Sequence, residues 1–352
     1  MEAQTDLYIN LLKRLIETPS LSKEEALTAG IIQDFFKSKS IDTERIKNNI
    51  LARNKFFDPK KPTILLNSHH DTVKPNASWK KDPFLPLVID RKLYGLGSND
   101  AGASLVSLIS TFIQFYDQKN LKYNLILAAT AEEEISGKDG VELVLPQLGK
   151  IDFAIVGEPT QLNMAITEKG LMVLDCISKG RSGHAARDEG DNAIYKALGD
   201  IEWFSEYKFE RISAFLGAVK MSVTVINAGT QHNVIPDECR FVVDVRSTDS
   251  YSNDEILETI KKHVSCEVIP RSQRLQASGL PENHILKQIA KELKIKTFGS
   301  PTLSDQALMP FPSIKIGPGD SARSHTADEY IEIDEIKDGI EVYIRLLKKL
   351  MD

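Results

Sequence analysis

The chain is poor in cysteine: 352 residues hold three, Cys176, Cys239 and Cys266, far apart and with no Cys-x-x-Cys pair. That spacing excludes both a disulfide framework and a thiolate zinc knuckle, and the thiols read as reduced and mostly structural. No apolar run approaches membrane-spanning length, so no membrane partner is expected. A basic stripe is also missing. The 44 Lys and Arg are scattered among 50 Asp and Glu for a net charge of -6, which argues against a nucleic-acid partner. Signal peptides open on basic residues, whereas this chain opens Met1-Glu2-Ala3-Gln4-Thr5-Asp6, and a soluble cytoplasmic protein is expected. Internal repeats and low-complexity tracts are absent as well.

What is present is enough apolar residue, 41%, for a large core and two domains. Leu7, Leu11, Leu12, Leu15 and Ile16 recur at helical spacing, and Ser20-Leu21-Ser22-Lys23-Glu24-Glu25 reads as the cap of a second helix carrying Ala29, Ile32, Phe35 and Phe36. Then comes an unbroken run, Thr63-Ile64-Leu65-Leu66-Asn67, of the kind that forms a parallel strand buried on both faces. It ends in Ser68-His69-His70-Asp71-Thr72. Three later runs end comparably: Tyr123 to Ala129 leads into Thr130-Ala131-Glu132-Glu133-Glu134, Phe153 to Val156 into Gly157-Glu158-Pro159-Thr160, and Ser313 to Ile316 through a Gly-Pro-Gly turn to Ser324-His325-Thr326. A glycine-rich entry, Tyr94 to Gly102, brings Asp100 to or just before a helix N-terminus, where backbone N–H groups favour a carboxylate. Between about Glu168 and Pro281 the order is strand, helix, two strands, helix, strand, a split βαββαβ unit inserted into the first domain. The expected architecture is α/β. A mixed sheet flanked by helices forms a discontinuous domain over residues 1–166 and 281–352, and an α+β, ferredoxin-like domain spans 167–280.

In open α/β sheets, ligand sites lie beyond the carboxyl ends of the strands. Delivered there, His69, Asp100, Glu134, Glu158 and His325 make an imidazole and carboxylate set suited to zinc, with cobalt or manganese as substitutes. Five ligands exceed one open catalytic site but fit two ions sharing a carboxylate, and Asp100 is the candidate bridge. Two such ions can acidify a shared water and polarise a carbonyl, the equipment for hydrolysing an amide. Asp71, two residues after His69, is placed to hydrogen-bond the imidazole and fix its tautomer. His70 should turn to the other side of the strand as a packing or surface residue. Glu133 is the expected general base, activating the metal-bridging water and later protonating the amine. Glu132 reads as a solvated or outer acid. Taken singly, a His-x-Asp or an acidic triplet at a strand end is more often a cap or a solvated turn. Four strand ends converging reverse that reading.

These segments, together with His325-Thr326-Ala327-Asp328-Glu329-Tyr330, resemble in order the five motifs of the M20 family of zinc aminoacylases and peptidases. The resemblance implies a dizinc hydrolase in which His69, Asp100 and Glu158 hold one zinc and Asp100, Glu134 and His325 the other. It also implies that Asp71 orients His69 and that Glu133 is the base. Arg181-Ser182-Gly183-His184 is similar to a family segment whose His reaches a partner subunit's active site to support the oxyanion, so a homodimer through the inserted lid domain is expected. Asn233-Val234-Ile235-Pro236 and Asp244-Val245-Arg246 look like lid segments that contact substrate, with Arg246 suited to grip a carboxylate. Ser304-Asp305 is similar to a substrate-loop segment. Two departures stand out: Ala101-Gly102-Ala103-Ser104 replaces a common Met-Lys-Gly-Gly run, and Gln306-Ala307-Leu308 stands where relatives often carry Arg. The implied reaction is amide hydrolysis of an N-acyl-α-amino acid in arginine-type biosynthesis, of the acetylornithine deacetylase kind. Acyl-citrulline, succinyl-ornithine, succinyl-diaminopimelate and dipeptides are the alternative substrates, and a non-catalytic metal-dependent binding or scaffold protein is the alternative of another class.

Overall fold

In the computed structural model, which describes residues 2–351, the four strands expected from apolar runs lie side by side and point the same way. Thr63–His69 stands between Asn124–Thr130 and Phe153–Val156, parallel to both, and Ser313–Lys315 runs parallel beyond Phe153–Val156. The register sets His69 beside Thr130 and Asn67 beside Val156, so all the strand ends reach one edge together. Every residue of the four strands is buried, which is why their sequences run apolar without alternating. Antiparallel strands extend this sheet on both sides, Asn49–Arg53 and Glu44–Ile46 at one end and Met164–Glu168 at the other. The fold is therefore a mixed α/β sheet covered by helices.

Strand geometry sends alternate side chains to opposite layers. Ile64 and Leu66 join a core with helices Glu2–Ile16, Ala26–Ser38, Ala103–Phe115 and Ile333–Met351. Leu65 packs the other way with Ile126, Ala128 and Ala154 against Val141, Val144 and Leu148. Helix Ala103–Phe115 is buried on nearly all sides, and two of its hydroxyls return to their own helix, Ser107 Oγ to the Ala103 carbonyl at 2.7 Å and Thr111 Oγ1 to that of Ser107 at 2.9 Å. Each fully buried Leu, Ile or Phe in this layer contributes about 1.5–3 kcal/mol by leaving water.

The chain divides into two units, one of Met1–Ile166, Gly279–Phe298 and Ser304–Asp352, the other of Thr167–Ser278 and Gly299–Leu303. Within the second, the element order is Met172–Lys179, helix Ala193–Glu206, Lys220–Ala228, Glu238–Arg246, helix Asn253–His263 and Glu267–Pro270. Its antiparallel sheet runs Lys220–Ala228, Glu238–Arg246, Met172–Lys179, Glu267–Pro270 across, with both helices packed on one face. The helix starts are written locally. Asn192 caps the first by accepting from the Ile194 N–H at 2.9 Å. Ser252 and Glu255 form a reciprocal capping box on the second, with Lys261, Lys262 and His263 in its last turn.

Candidate metal centre

His69 is the last residue of its strand and is 1% exposed. Its Nδ1 lies 3.0 Å from the Asp71 carbonyl and 3.4 Å from the Asp71 carboxylate, which leaves Nε2 aimed at the sheet edge. His70 turns the other way. It is buried, with Nδ1 2.9 Å from Thr28 Oγ1 and Nε2 2.9 Å from the Asn48 carbonyl. Asp71, fully buried, does more than face His69. Its Oδ1 accepts from the backbone N–H of Glu133 at 3.0 Å, its Oδ2 from that of Glu134 at 3.2 Å, and Ser22 donates to Oδ2 at 2.7 Å. Ser22 is thus engaged away from the helix it precedes, and helix Ala26–Ser38 carries no side-chain cap. Glu25, also fully buried, accepts from the Glu132 N–H at 3.2 Å and from Asn48 at 2.8 Å. Glu132, in left-handed backbone, is itself buried, with Oε2 3.4 Å from the Asp139 nitrogen, so it is no solvated acid. Three consecutive N–H groups after the strand are therefore held by two carboxylates from elsewhere in the chain.

Asp100 arrives by another route. Ser98–Gly102 makes one wide turn broken at Asp100 (φ -116°, ψ 99°), and regular helix begins only at Ala103. One Asp100 oxygen, Oδ1, lies 3.3 Å from His69 Nε2; the other, Oδ2, lies 3.7 Å from His325 Nε2. His325 Nε2 is also 2.9 Å from Glu134 Oε2. Glu158 Oε1 stands 3.8 Å and Glu133 Oε2 3.9 Å from His69 Nε2. The donor atoms of His69, Asp100 and Glu134 converge within 4.8 Å of one another, and so do those of His69, Glu133 and Glu158. Imidazole nitrogen with carboxylate oxygen, no thiolate and several carboxylates in one small volume is a donor set that fits a pair of divalent ions.

Electrostatics tell the same story. Burial and the charges of Glu158, Asp305 and Glu134 push the Glu133 carboxyl well above its ordinary range, against the pull of His69. Burial, with Asp100 and Glu134 nearby, lifts Glu158 to about 8. Burial also raises Glu134. The Glu134 hydrogen bond pushes His325 up to about 9. Burial disfavours a charge on His69, but the Asp100 and Asp71 carboxylates outweigh it and hold the imidazole well above its usual value. Carboxylates crowded this way repel one another, and nearby cations relieve the repulsion.

The sequence reasoning gave three residues no part in holding the centre. Glu329 accepts three backbone N–H groups around Asp100. Asp305, 4% exposed and raised to about 6 by burial, accepts from Thr130 Oγ1 at 2.8 Å. Lys315 is buried at the end of strand Ser313–Lys315, within electrostatic reach of Glu158. A residue that holds backbone groups carries no periodicity or spacing, so Glu329 leaves little trace, and Asp305 serves the Thr130 side chain 175 positions away. Lys315 did leave one, a charge inside a run read as buried.

The remaining singled-out residues fall as follows. Ser304 is 3% exposed and caps the Asp305–Leu308 turn, and Gln306 in that turn is fully buried. In the second unit, Gly183–His184 pairs with Val234–Ile235, His184 opposite Val234. The His184 side chain is exposed, its Nδ1 accepting from the Ala186 N–H at 3.1 Å, and Asn233 receives the Ala185 N–H on its carbonyl at 3.0 Å. Arg246 spends its guanidinium fork on Asp244, at 2.9 and 3.1 Å.

Comparison with known proteins bears on this arrangement. Over 374 aligned positions covering 97% of each chain, the sequence is 28% identical to an acetylornithine deacetylase of Shigella sonnei. It is 23% identical to a succinyl-diaminopimelate desuccinylase 2 of Ruegeria, covering 97% of this chain and 94% of that one. Among solved structures, the fold resembles that of a dinuclear metal binding peptidase of Bacillus subtilis, at a TM-score of 0.75 and 17% identity over 100% and 99% of the two chains. The model of peptidase family M20/M25/M40 matches residues 65–349, which include every residue of the centre. The chain belongs to peptidase family M20/M25/M40, a family of metallo-hydrolases.

Proposed function

We propose that the protein is a two-metal deacylase that hydrolyses the amide of an N-acyl-α-amino acid, with acetylornithine as the first substrate to try. The observation that carries this reading is Asp100, whose two oxygens face different histidines, His69 and His325, at 3.3 and 3.7 Å. A carboxylate so placed suits two ions at once. His69, Asp100 and Glu158 would hold one, and Asp100, Glu134 and His325 the other, zinc being the natural occupant and cobalt or manganese substitutes. Bound there, divalent ions supply Lewis acidity, which acidifies water and polarises an amide carbonyl.

The chain's own residues do the rest. Asp71 holds the His69 ring and the backbone of Glu133 and Glu134, and so sets ligand and base in one frame. Glu133, 3.9 Å from His69 Nε2, takes the proton of the attacking water on its carboxylate and returns it to the departing amine nitrogen as the C–N bond breaks. His184 is read as the group that supports the oxyanion from a partner subunit. Asn233, Arg246 and Ser304 are read as substrate contacts, which for Arg246 requires leaving Asp244.

A homodimer through the inserted unit is part of the proposal. It is supported by the edge strand Lys220–Ala228, with Val225 and Ile226 about half exposed, and by Tyr195 and Leu198 exposed on helix Ala193–Glu206. The cytoplasm is the proposed location, in keeping with three cysteines that form no disulfide. Among the described residues no helix is long and apolar enough to cross a membrane.

The test is amine release from acetyl-ornithine, acetyl-citrulline, succinyl-ornithine, succinyl-diaminopimelate and dipeptides, using protein reconstituted with zinc or cobalt beside a chelated control. Metal-dependent turnover of one N-acyl amino acid supports the reading. Turnover of dipeptides alone would replace it with a peptidase, and silence across the panel with two metals bound would favour a binding protein.

A further inference from the structure

Glu329 sits against the Asp100 loop without belonging to the donor set. Its side chain is 2% exposed. Oε1 accepts from the backbone N–H groups of Asn99 at 2.8 Å and Asp100 at 2.9 Å, and Oε2 from that of Gly97 at 3.2 Å. The Glu329 carbonyl accepts a fourth, from Gly95, at 3.1 Å. Four N–H groups of a six-residue loop thus end on one residue. The chemistry calls for a carboxylate: donors approach both oxygens, and an amide in the same place would turn an N–H2 towards one of them.

The same segment is tied down on either side. Asp328 Oδ1 accepts from the backbone N–H groups of Lys80 and Lys81 at 3.0 and 2.9 Å. Asn99 Oδ1 accepts from the Asp320 N–H at 3.0 Å, and its Nδ2 donates to the Asp320 carbonyl at 3.1 Å. His325 lies between these anchors, so the loop bearing Asp100 and the segment bearing His325 are locked to each other.

We propose that Glu329 is a positioning residue for the metal pair: its carboxylate fixes the Asp100 backbone against the His325 segment, so that the two Asp100 oxygens face His69 and His325 together. The proposal rests on the reading of Asp100 and His325 as metal ligands. Groups that orient ligands in this way typically carry a 10–100-fold effect on metal affinity.

Calorimetric titration of zinc into the chelator-stripped, full-length protein tests it, with Glu329→Gln, Glu329→Asp and Asp100→Asn compared with the parent. Glu329→Gln is expected to weaken zinc binding about 10–100-fold, and Glu329→Asp, which keeps the charge, to recover part of that loss. Glu329→Gln leaves a buried N–H group facing an N–H2 and should lower the metal-free melting temperature somewhat, with both variants still folded at the titration temperature. Parental zinc affinity in Glu329→Gln would overturn the proposal. So would a metal-free Glu329→Gln chain that is already unfolded at the titration temperature, because the lost affinity would then mark a merely structural role. Asp100→Asn separates the two layers of inference. If it binds zinc normally, the ligand reading itself falls; if it binds weakly while Glu329→Gln does not, only the role of Glu329 falls.

Discussion

The Asp71 carboxylate holds the Glu133 backbone N–H at 3.0 Å while its other oxygen holds that of Glu134 at 3.2 Å. One buried side chain therefore sets the position of the proposed base and of a proposed ligand. Asp71→Asn presents one acceptor where two are needed and turns an N–H2 towards an N–H. Zinc affinity should fall about 10–100-fold, with kcat falling as well. Parental affinity and turnover in this variant would show that the grip is dispensable.

Glu133→Gln keeps the shape of the side chain and removes its ability to take a proton. Turnover should drop about 10²–10⁴-fold, while metal stoichiometry, measured by elemental analysis, stays at the parental value. Retained turnover would remove Glu133 from the proposed mechanism.

The metal-free protein should lose stability as pH rises. Glu158 has a folded-state value near 8 against an ordinary 4.5, and Asp305 near 6 against 3.8, burial being the main cause in each. A carboxyl raised by folding keeps a proton that the unfolded chain has already released. The stability it contributes is full below its ordinary value and is lost as pH climbs through the folded value. Each such group has a limiting slope of about 1.4 kcal/mol per pH unit within its window. The metal-free melting temperature should therefore fall between pH 5 and 8.5, and added zinc should stabilise more at pH 8 than at pH 5. Equal stabilisation at both values would count against the carboxylate cluster as the metal's seat.

Gly102 has no room for a methyl group. A Cβ there would meet the Gly97 carbonyl oxygen at 2.4 Å and Leu12 Cδ1 at 2.5 Å, whereas one on Gly199, within helix Ala193–Glu206, would meet nothing within 4 Å. Gly102→Ala should cost about 1–3 kcal/mol through overpacking, and Gly199→Ala should be neutral or stabilising by up to about 1 kcal/mol. Thermal denaturation of the two variants side by side checks the contrast.

If His184 acts across a dimer, mixing His184→Ala with Glu133→Gln should restore activity in the heterodimers that carry one complete site. Heterodimers isolated by two affinity tags and found inactive would place His184 outside the reaction.

The parallel strands were legible because burial on both faces leaves mostly apolar residues, and a polar tail marks where each run meets the edge. That logic led to His69, Glu134, Glu158 and His325, which the structure brings together with Asp100. Glu25 and Glu329 stayed hidden because each accepts from backbone N–H groups far along the chain, and a hydrogen bond to main chain imposes no pattern on the sequence it reaches. Ser22 shows the cost of local reasoning: a Ser followed three residues later by Glu reads as a helix cap, yet the hydroxyl goes to Asp71. Arg246 was read by its capacity for a bidentate grip, and the structure fills that grip with Asp244, two residues earlier on the same face of its strand.

Glu134 and His325 meet although 191 residues separate them along the chain. At a synthesis rate of about 5–20 residues per second, roughly 10–40 s pass between the emergence of the first and that of the second. A nascent chain therefore carries Glu134 through that interval before the His325 imidazole is made. On the proposed two-metal reading, a chain stalled before Ser324 would offer passing cations a set of donors without the His325 imidazole.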